Sequence, residues 1–175
     1  MFDAERRREK EIAMTIRDVM TKQVTTCRPE TNLAAASALM WENDCGALPA
    51  LTDAGELAGI LTDRDICIAL GTRNARASEL TVHDVVGTAP VICKSTDDIR
   101  SALQTMREAR IRRLPVVNED GVLEGMVSID DIVLSVQRGE GEADTAASYR
   151  DVAFTLQAIC TRAGDDQISS QQAAG

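Results

Sequence analysis

The sequence predicts a mixed α/β (α+β) fold of two tandem β-α-β-β-α repeats, packed sheet to sheet with pseudo-twofold symmetry. Three observations lead there. The stretch Gly59-Ile60-Leu61-Thr62-Asp63-Arg64-Asp65 recurs as Gly125-Met126-Val127-Ser128-Ile129-Asp130-Asp131. The same offset, 66 residues (125 − 59), carries Val19 onto Val85, Cys27 onto Cys93, Leu33 onto Ile99, Met40 onto Met106, Leu48-Pro49 onto Leu114-Pro115 and Gly55 onto Gly121 without a gap. Within each copy the apolar residues switch between strand-like and helix-like spacing.

In chain order, residues 1–13 mix both charge signs densely (Arg6-Arg7-Arg8-Glu9-Lys10-Glu11) and read as a solvated helical extension. Repeat 1 occupies 14–72, and a linker with repeat 2 occupies 73–138. Each repeat opens on a short strand, 24–27 or 91–93. An amphipathic helix follows, with Ile99, Ala102, Leu103 and Met106 at i, i+3, i+4 and i+7, and Leu33, Ala36, Ser37 and Met40 as their counterparts. Two strands come next, about 47–52 and 57–61 in the first copy and about 113–118 and 123–127 in the second. The turns joining them, Thr52-Asp53-Ala54-Gly55 and Asn118-Glu119-Asp120-Gly121, end on glycines suited to positive φ. The closing helices start at Thr62 and Ser128, hydroxyl residues where an N-cap is expected. A three-stranded sheet with helices on one face cannot bury itself alone; two copies can bury each other. An acidic linker (139–147) leads to a last helix (148–163) with Tyr149, Val152, Phe154, Leu156 and Ile159 as its apolar residues, and then to a disordered tail (164–175).

Composition excludes several classes of function. At 175 residues the chain can bury one good core, and no apolar run approaches membrane-spanning length. A net charge of −9 argues against nucleic acid or an anionic membrane as partner, and 2% aromatic residues leave few platforms for stacking on single strands. The first residues lack the apolar core of a signal peptide, so a cytoplasmic location is expected. Five cysteines without a Cys-x-x-Cys pair, and a single histidine, make a zinc site improbable. No metal-ligand spacing and no Walker or Rossmann glycine pattern occurs; Gly139-Glu140-Gly141 lacks the context of a phosphate loop. His83 falls on an expected short helix entering repeat 2 and reads as a surface residue. Trp41 is expected to cap the first long helix as core or interface.

The repeated stretch carries the chemistry. A strand end with a glycine (Gly59, Gly125), then a hydroxyl (Thr62, Ser128), then a carboxylate in the first helical turn (Asp65, Asp131) brings together exposed backbone, a hydroxyl, a carboxylate and the positive end of a helix dipole. These suit a ribose bearing a phosphate. Read structurally, each aspartate only complements its helix dipole, worth about 0.3–1 kcal/mol.

The order β-α-β-β-α, with Leu-Pro in the second strand and Gly-h-h-Thr/Ser-x-x-Asp at the last helix, resembles the CBS domain. Two in tandem resemble a CBS pair, or Bateman module, over roughly residues 14–137. Thr62-Asp63-Arg64-Asp65-Ile66 and Arg112-Arg113-Leu114-Pro115-Val116 are the most specific matches, and the chain is similar to stand-alone bacterial CBS proteins of the stress- or hypoxia-response type. The charged extension and the terminal helix lie outside that resemblance. It implies a regulatory module, not an enzyme, binding an adenosine-containing ligand (AMP, ADP, ATP, S-adenosylmethionine, sometimes NAD) in two clefts between the repeats, within a homodimer. By position it implies Asp65 and Asp131 on the ribose hydroxyls, and Thr62 and Ser128 on phosphate or ribose. It also implies an adenine pocket lined by Thr25, Thr26, Val91 and Ile92 with Ala47, Leu48, Pro49, Arg113, Leu114 and Pro115. Arg64 faces an Asp130 in the other copy, and Arg112-Arg113 face Gly46-Ala47. By analogy with related modules, Arg112 or Arg113 serves a phosphate held at Asp65, so phosphorylated ligands are expected to prefer the Asp65 cleft; Arg64 serves either.

Two alternatives stand beside this. One is a ligand-free dimeric scaffold. The other is a redox sensor using the twin cysteines Cys27 and Cys93, which would need exposed thiols of low pKa; read structurally, they are small buried side chains. No nucleophile-base pairing suggests an enzyme.

Overall fold

The computed structural model describes residues 14–87, 89–138 and 147–161. The expected charged extension, the linker residues 139–146 and the expected tail lie outside the described residues. Its elements run α1 (Ile16–Val19), α2 (Leu33–Glu42), β1 (Ala47–Leu51), β2 (Leu57–Thr62), α3 (Asp63–Arg73), β3 (Cys93–Lys94), α4 (Ile99–Ala109), β4 (Arg113–Val117), β5 (Leu123–Ser128), α5 (Ile129–Arg138) and α6 (Tyr149–Cys160). The strands form a two-stranded β1-β2 sheet and a three-stranded sheet in the order β3-β4-β5. The fold is of the predicted mixed class. Among the described residues no helix is long and apolar enough to cross a membrane.

The duplicated sequence produces duplicated local solutions. Asn32 Oδ1 accepts the Ala35 N–H at 2.9 Å ahead of α2, and its counterpart Asp98 Oδ1 accepts the Ser101 N–H at 2.9 Å ahead of α4. A cap of this kind contributes about 1 kcal/mol. The chain leaves the two helices through left-handed residues, Asp44 (φ 48°) and Arg110 (φ 54°). There the Cys45 and Ile111 amides return to the Met40 and Met106 carbonyls, both at 3.0 Å. The predicted inner faces are the observed ones: Leu33, Ala36 and Met40 on α2, and Ile99, Ala102, Leu103 and Met106 on α4, are buried. Gly55 and Gly121 hold φ of 81° and 80°, as their turns require.

Three expectations need correction. Residues 24–27 form no ladder. Only Cys27 makes a bridge, its amide donating to the Pro49 carbonyl (3.0 Å) and its carbonyl accepting from Leu51 (2.9 Å). The counterpart strand is two residues long, Cys93 and Lys94 paired in parallel with Val116 and Val117. Apolar patterning identifies extended chain, but a ladder lasts only while a partner backbone runs alongside, and Pro29 and Pro90 lack the amide to prolong it. His83 lies in a hydrogen-bonded turn instead of a helix. Trp41 is 88% exposed and no part of the core. The expected last helix is observed as α6; its buried positions are Val152 and Thr155, whereas Tyr149 and Phe154 face solvent. The Thr155 hydroxyl donates to the Leu103 carbonyl at 3.4 Å, and Asp151 lies 3.8 Å from the Arg100 guanidinium, so α6 is turned to meet α4.

The chain divides into two compact units that cut across the repeats. Among the described residues, one comprises those of Thr21–Lys94 with Pro115–Met126; the other comprises those up to Met20, Ser95–Leu114 and those from Val127 onward. In the first, the core gathers Leu33, Met40, Leu48, Leu61, Ile66 and Val82. Its Val82 amide donates to the Thr31 carbonyl at 2.8 Å, so the segment leading into repeat 2 docks on repeat 1. In the second, the Ile16 amide donates to the Asp97 carbonyl at 2.9 Å, so the segment leading into repeat 1 docks on repeat 2. The two contacts are counterparts under the 66-residue offset.

Candidate functional site

Each closing helix is entered through the same hydrogen-bonded box. In repeat 1, Asp65 Oδ2 accepts from the Thr62 amide (3.0 Å) and the Thr62 hydroxyl (2.6 Å), while the Asp65 amide donates to Thr62 Oγ1 (3.2 Å). In repeat 2, Asp131 Oδ2 accepts from the Ser128 amide (2.8 Å) and hydroxyl (2.6 Å), and the Asp131 amide donates to Ser128 Oγ (3.2 Å). This is the capping box with aspartate at the third helical position. It holds a carboxylate at the positive end of the helix. All four residues are half-buried. Among the described residues no hydrogen bond is made to Oδ1 of either aspartate, so each carboxylate keeps an acceptor to spare.

The preceding strands position these boxes. Thr62 ends β2 opposite Ala47 of β1, and Pro49 stands opposite Ile60. The Gly46 carbonyl accepts from the Asp63 amide at 3.3 Å; its counterpart, the Arg112 carbonyl, accepts from Ile129 at 2.9 Å. The structure therefore brings Gly46 and Ala47 to the Thr62–Asp65 box, and the Arg112 and Arg113 backbone to the Ser128–Asp131 box. The Arg112 side chain is exposed, Arg113 is half-buried, and Arg64 is exposed. Leu48 and Leu114 are 0% exposed core residues, and Pro49 is fully buried as well. What such residues offer a ligand is backbone.

The glycines also serve the packing of the chain itself. A Cβ on Gly125 would run into the Thr21 carbonyl, and one on Gly59 would stand 3.1 Å from Val86 Cβ and 3.2 Å from the Gly87 carbonyl oxygen. Thr21 and Gly87 are themselves counterparts 66 residues apart. Both glycines are needed for close approach of the protein's own chain, and the gap they leave is already filled.

Thr25 and Thr26 are half-buried and line a cavity of about 710 Å³ with Lys22, Gln23, Asn43 and Glu124. A second cavity, about 410 Å³, lies between Met40, Asp44, Cys45 and Asp63. Both volumes are in the range of small-molecule sites. Neither is lined by Thr62, Asp65, Ser128 or Asp131. Val91 and Ile92 are 41% and 43% exposed.

The twin cysteines are buried, Cys27 at 6% and Cys93 at 5% exposure. Burial pushes the Cys27 thiol up to about 11, opposite to what a redox sensor needs. The Cys93 thiol contacts the Pro115 carbonyl at 3.8 Å. Among the described residues no three His, Cys, Asp or Glu side chains gather as metal ligands.

Sequence reasoning missed that the Thr/Ser-x-x-Asp box serves elsewhere too. Thr15 with Asp18, Thr81 with Asp84 and Ser148 with Asp151 make the same amide and hydroxyl bonds to one carboxylate oxygen, at 2.7–2.8 Å. Their signal was present, since Thr15 and Thr81 obey the 66-residue offset. What distinguishes the boxes at Thr62 and Ser128 is a strand end leading directly into them and half-burial; the other three are exposed.

Comparison with known proteins agrees with this architecture. Residues 16–72 and 82–138 each match the CBS domain. The CBS domain-containing protein YhcV of Bacillus subtilis is 32% identical over 140 residues, 79% of this chain and 98% of YhcV. Hypoxic response protein 1 of Mycobacterium tuberculosis is 36% identical over 123 residues, 67% of this chain and 82% of that protein. A crystal structure of CBSX2 in complex with AMP superposes with a TM-score of 0.63 at 26% identity, covering 71% of this chain and 96% of CBSX2. The chain belongs to the CBS domain family, as a tandem pair of CBS domains.

Proposed function

We propose that this CBS pair is a regulatory module, without catalytic activity of its own, that binds an adenosine-containing ligand and transmits its presence to a partner. The observation that carries the reading is the pair of half-buried boxes at Thr62–Asp65 and Ser128–Asp131. Each holds a carboxylate by one oxygen and leaves the other for the paired hydroxyls of a ribose. The AMP in CBSX2 supports the ligand class, and the likeness to a hypoxic response protein supports a role in reporting energy or stress state. AMP is the first candidate, ahead of ADP, ATP and S-adenosylmethionine. Arg64, Arg112 and Arg113 are the proposed phosphate partners, with phosphorylated ligands preferring Asp65. Gly59 and Gly125 contribute backbone, as do Ala47, Leu48, Pro49, Leu114 and Pro115; Thr25, Thr26, Val91 and Ile92 contribute side chains. A cytoplasmic location belongs to the same proposal. Ligand binding acts by differential affinity for two arrangements of the module.

A thermal-shift panel of AMP, ADP, ATP, S-adenosylmethionine and NADH on wild type, Asp65→Ala and Asp131→Ala tests it. A ligand at a hundred times its dissociation constant adds about 2.7 kcal/mol, which for a domain of this size raises Tm by roughly 5–10 °C. The expected result is a shift for at least one ligand that Asp65→Ala removes. Equal loss of AMP affinity in both variants would overturn the preference for Asp65. No shift with any ligand would favour a ligand-free scaffold.

A further inference from the structure

The duplication shows where one copy carries polar side chains that the other lacks. The cavity of about 710 Å³ is lined by six polar residues, Lys22, Gln23, Thr25, Thr26, Asn43 and Glu124. Under the 66-residue offset Gln23, Thr25 and Thr26 have Ala89, Val91 and Ile92 as counterparts, while Asn43 and Glu124 have Ala109 and Ala58. Lys22 has the uncharged Thr88, and in the other direction only Val122 of this lining has a charged counterpart, Glu56. Aliphatic positions are kept, Leu51 being matched by Val117 and Leu123 by Leu57. Both copies build the same fold, so the fold does not require the polar set.

The backbone of the cavity is open as well. Residues 22–26 lie between two isolated bridges, Thr21 with Met126 and Cys27 with Ala50. Among the described residues, no amide or carbonyl of 22–26 makes a hydrogen bond, nor do the Thr25 and Thr26 hydroxyls. Val24, Thr25 and Thr26 are nevertheless half-buried. Backbone polar groups in such a setting require partners, and the cavity is where a partner can enter.

We propose that this cavity is a second binding site, distinct from the boxes at Thr62 and Ser128, and that it takes a short peptide with free termini and aliphatic side chains. A segment with unpaired amides and carbonyls receives a peptide as an added strand. Lys22 and Glu124 are the only charged residues among the described lining, one of each sign. The ammonium donates to a C-terminal carboxylate, and the carboxylate accepts from an N-terminal ammonium. Val24, Leu51, Val122 and Leu123 offer apolar surface to the side chains. At about 3.3 Å per residue a tripeptide is about 10 Å long, a size that suits a cavity of this volume. A nucleotide matches poorly, since no aromatic residue of the lining stacks a base and Glu124 offsets the single cation. A zwitterion is also not repelled by a chain of net charge −9. Thr25 and Thr26 are shared with the proposed adenosine site, but neither Asp65 nor Asp131 is needed here.

Titration calorimetry on the full chain tests it, with Leu-Ala-Leu beside its N-acetyl and C-terminal amide forms and free leucine. The expected result is saturable binding of the free tripeptide, equal in wild type and Asp65→Ala. N-acetylation should weaken it about tenfold; Glu124→Gln should weaken the free peptide as much and the acetylated one no further. Amidation and Lys22→Gln should each weaken binding about threefold, because that ammonium is exposed. Circular dichroism checks the fold of each variant, and the comparison of peptide forms needs the wild type alone. No saturable binding by wild type, equal affinity for free and acetylated peptide, or leucine binding as tightly as the tripeptide overturns the proposal. Loss of peptide binding in Asp65→Ala, or displacement by saturating AMP, assigns the cavity to the nucleotide and overturns it too. Peptide binding without any AMP response upholds this site and overturns the nucleotide reading alone.

Discussion

Asp65 Oδ2 accepts both hydrogen bonds that Thr62 donates, from the amide at 3.0 Å and from the hydroxyl at 2.6 Å, and Oδ1 accepts none among the described residues. One oxygen serves the helix and the other is available to a ligand. The same side chain therefore has a stability role and a proposed binding role, and these separate experimentally. In urea titration without ligand, Thr62→Ala and Asp65→Ala should each lower the unfolding free energy by about 1 kcal/mol, the worth of a cap. Asp65→Ala should also remove the stabilisation conferred by AMP, and Thr62→Ala should reduce it, since Thr62 holds the carboxylate in place.

The glycines give a ranked prediction. Gly125→Ala drives a methyl group into the Thr21 carbonyl, a backbone atom that cannot step aside, and should cost about 2–3 kcal/mol. Gly59→Ala meets Val86 Cβ at 3.1 Å and should cost less, about 1 kcal/mol. Gly71, on α3, would place a methyl group in open space, so Gly71→Ala should stabilise by about 0.5–1 kcal/mol through helix propensity. Denaturant midpoints of the three variants test the order.

Cys27 should make the protein sensitive to alkali. Its thiol ionises at about 11 in the fold against 9.0 for an ordinary cysteine, because burial disfavours the thiolate. Between those values the unfolded chain has released a proton that the folded chain retains, so stability falls as pH rises from 9 towards 11. Cys27→Ala should flatten that decline in melts across this window. In native protein at neutral pH, the exposed Cys67 and Cys160 should react with a thiol reagent well before Cys27 and Cys93.

Acid should act through the helix entries. The Ser101 amide holds the Asp98 carboxyl below the usual aspartate range, and the Ser148 amide and hydroxyl do the same for Asp151. Groups with lowered values stabilise the fold fully above the ordinary aspartate pKa and lose that contribution as pH falls through the folded value. Stability should therefore decline below about pH 4. Asp98→Asn and Asp151→Asn should each make the decline shallower. Hydrogen exchange in Asp151→Ala should show α6 opening before α4, since Ser148 and Asp151 cap its first turn.

Much of the fold is legible because its signals are local. Thr62 and Ser128 announce helix starts, Gly55 and Gly121 announce turns, and the burial of Ile99, Ala102, Leu103 and Met106 follows from spacing alone. The boxes at Thr62 and Ser128 are legible for the same reason, as their hydrogen bonds span three residues. The extent of the opening strands is misread, and Trp41 is no part of the core, because local pattern does not say which neighbour arrives. Phe154 is apolar yet exposed, whereas Thr155 is buried because the Leu103 carbonyl offers its hydroxyl a partner.

By itself the sequence determined the duplication, the order of elements within each copy, the caps and the two hydroxyl–carboxylate boxes, all set by interactions within a few residues or by the 66-residue self-match. Tertiary structure alone decided that Ile16 docks on Asp97 and Val82 on Thr31, so that each lead-in segment serves the other repeat and the compact units cut across the duplication. It also decided that Gly59 and Gly125 make room for Gly87 and Thr21. These are contacts between residues distant in the chain, formed where backbone donors and acceptors of both copies come within reach, and an exchange between two partners of the same element order leaves no trace in the periodicity of either.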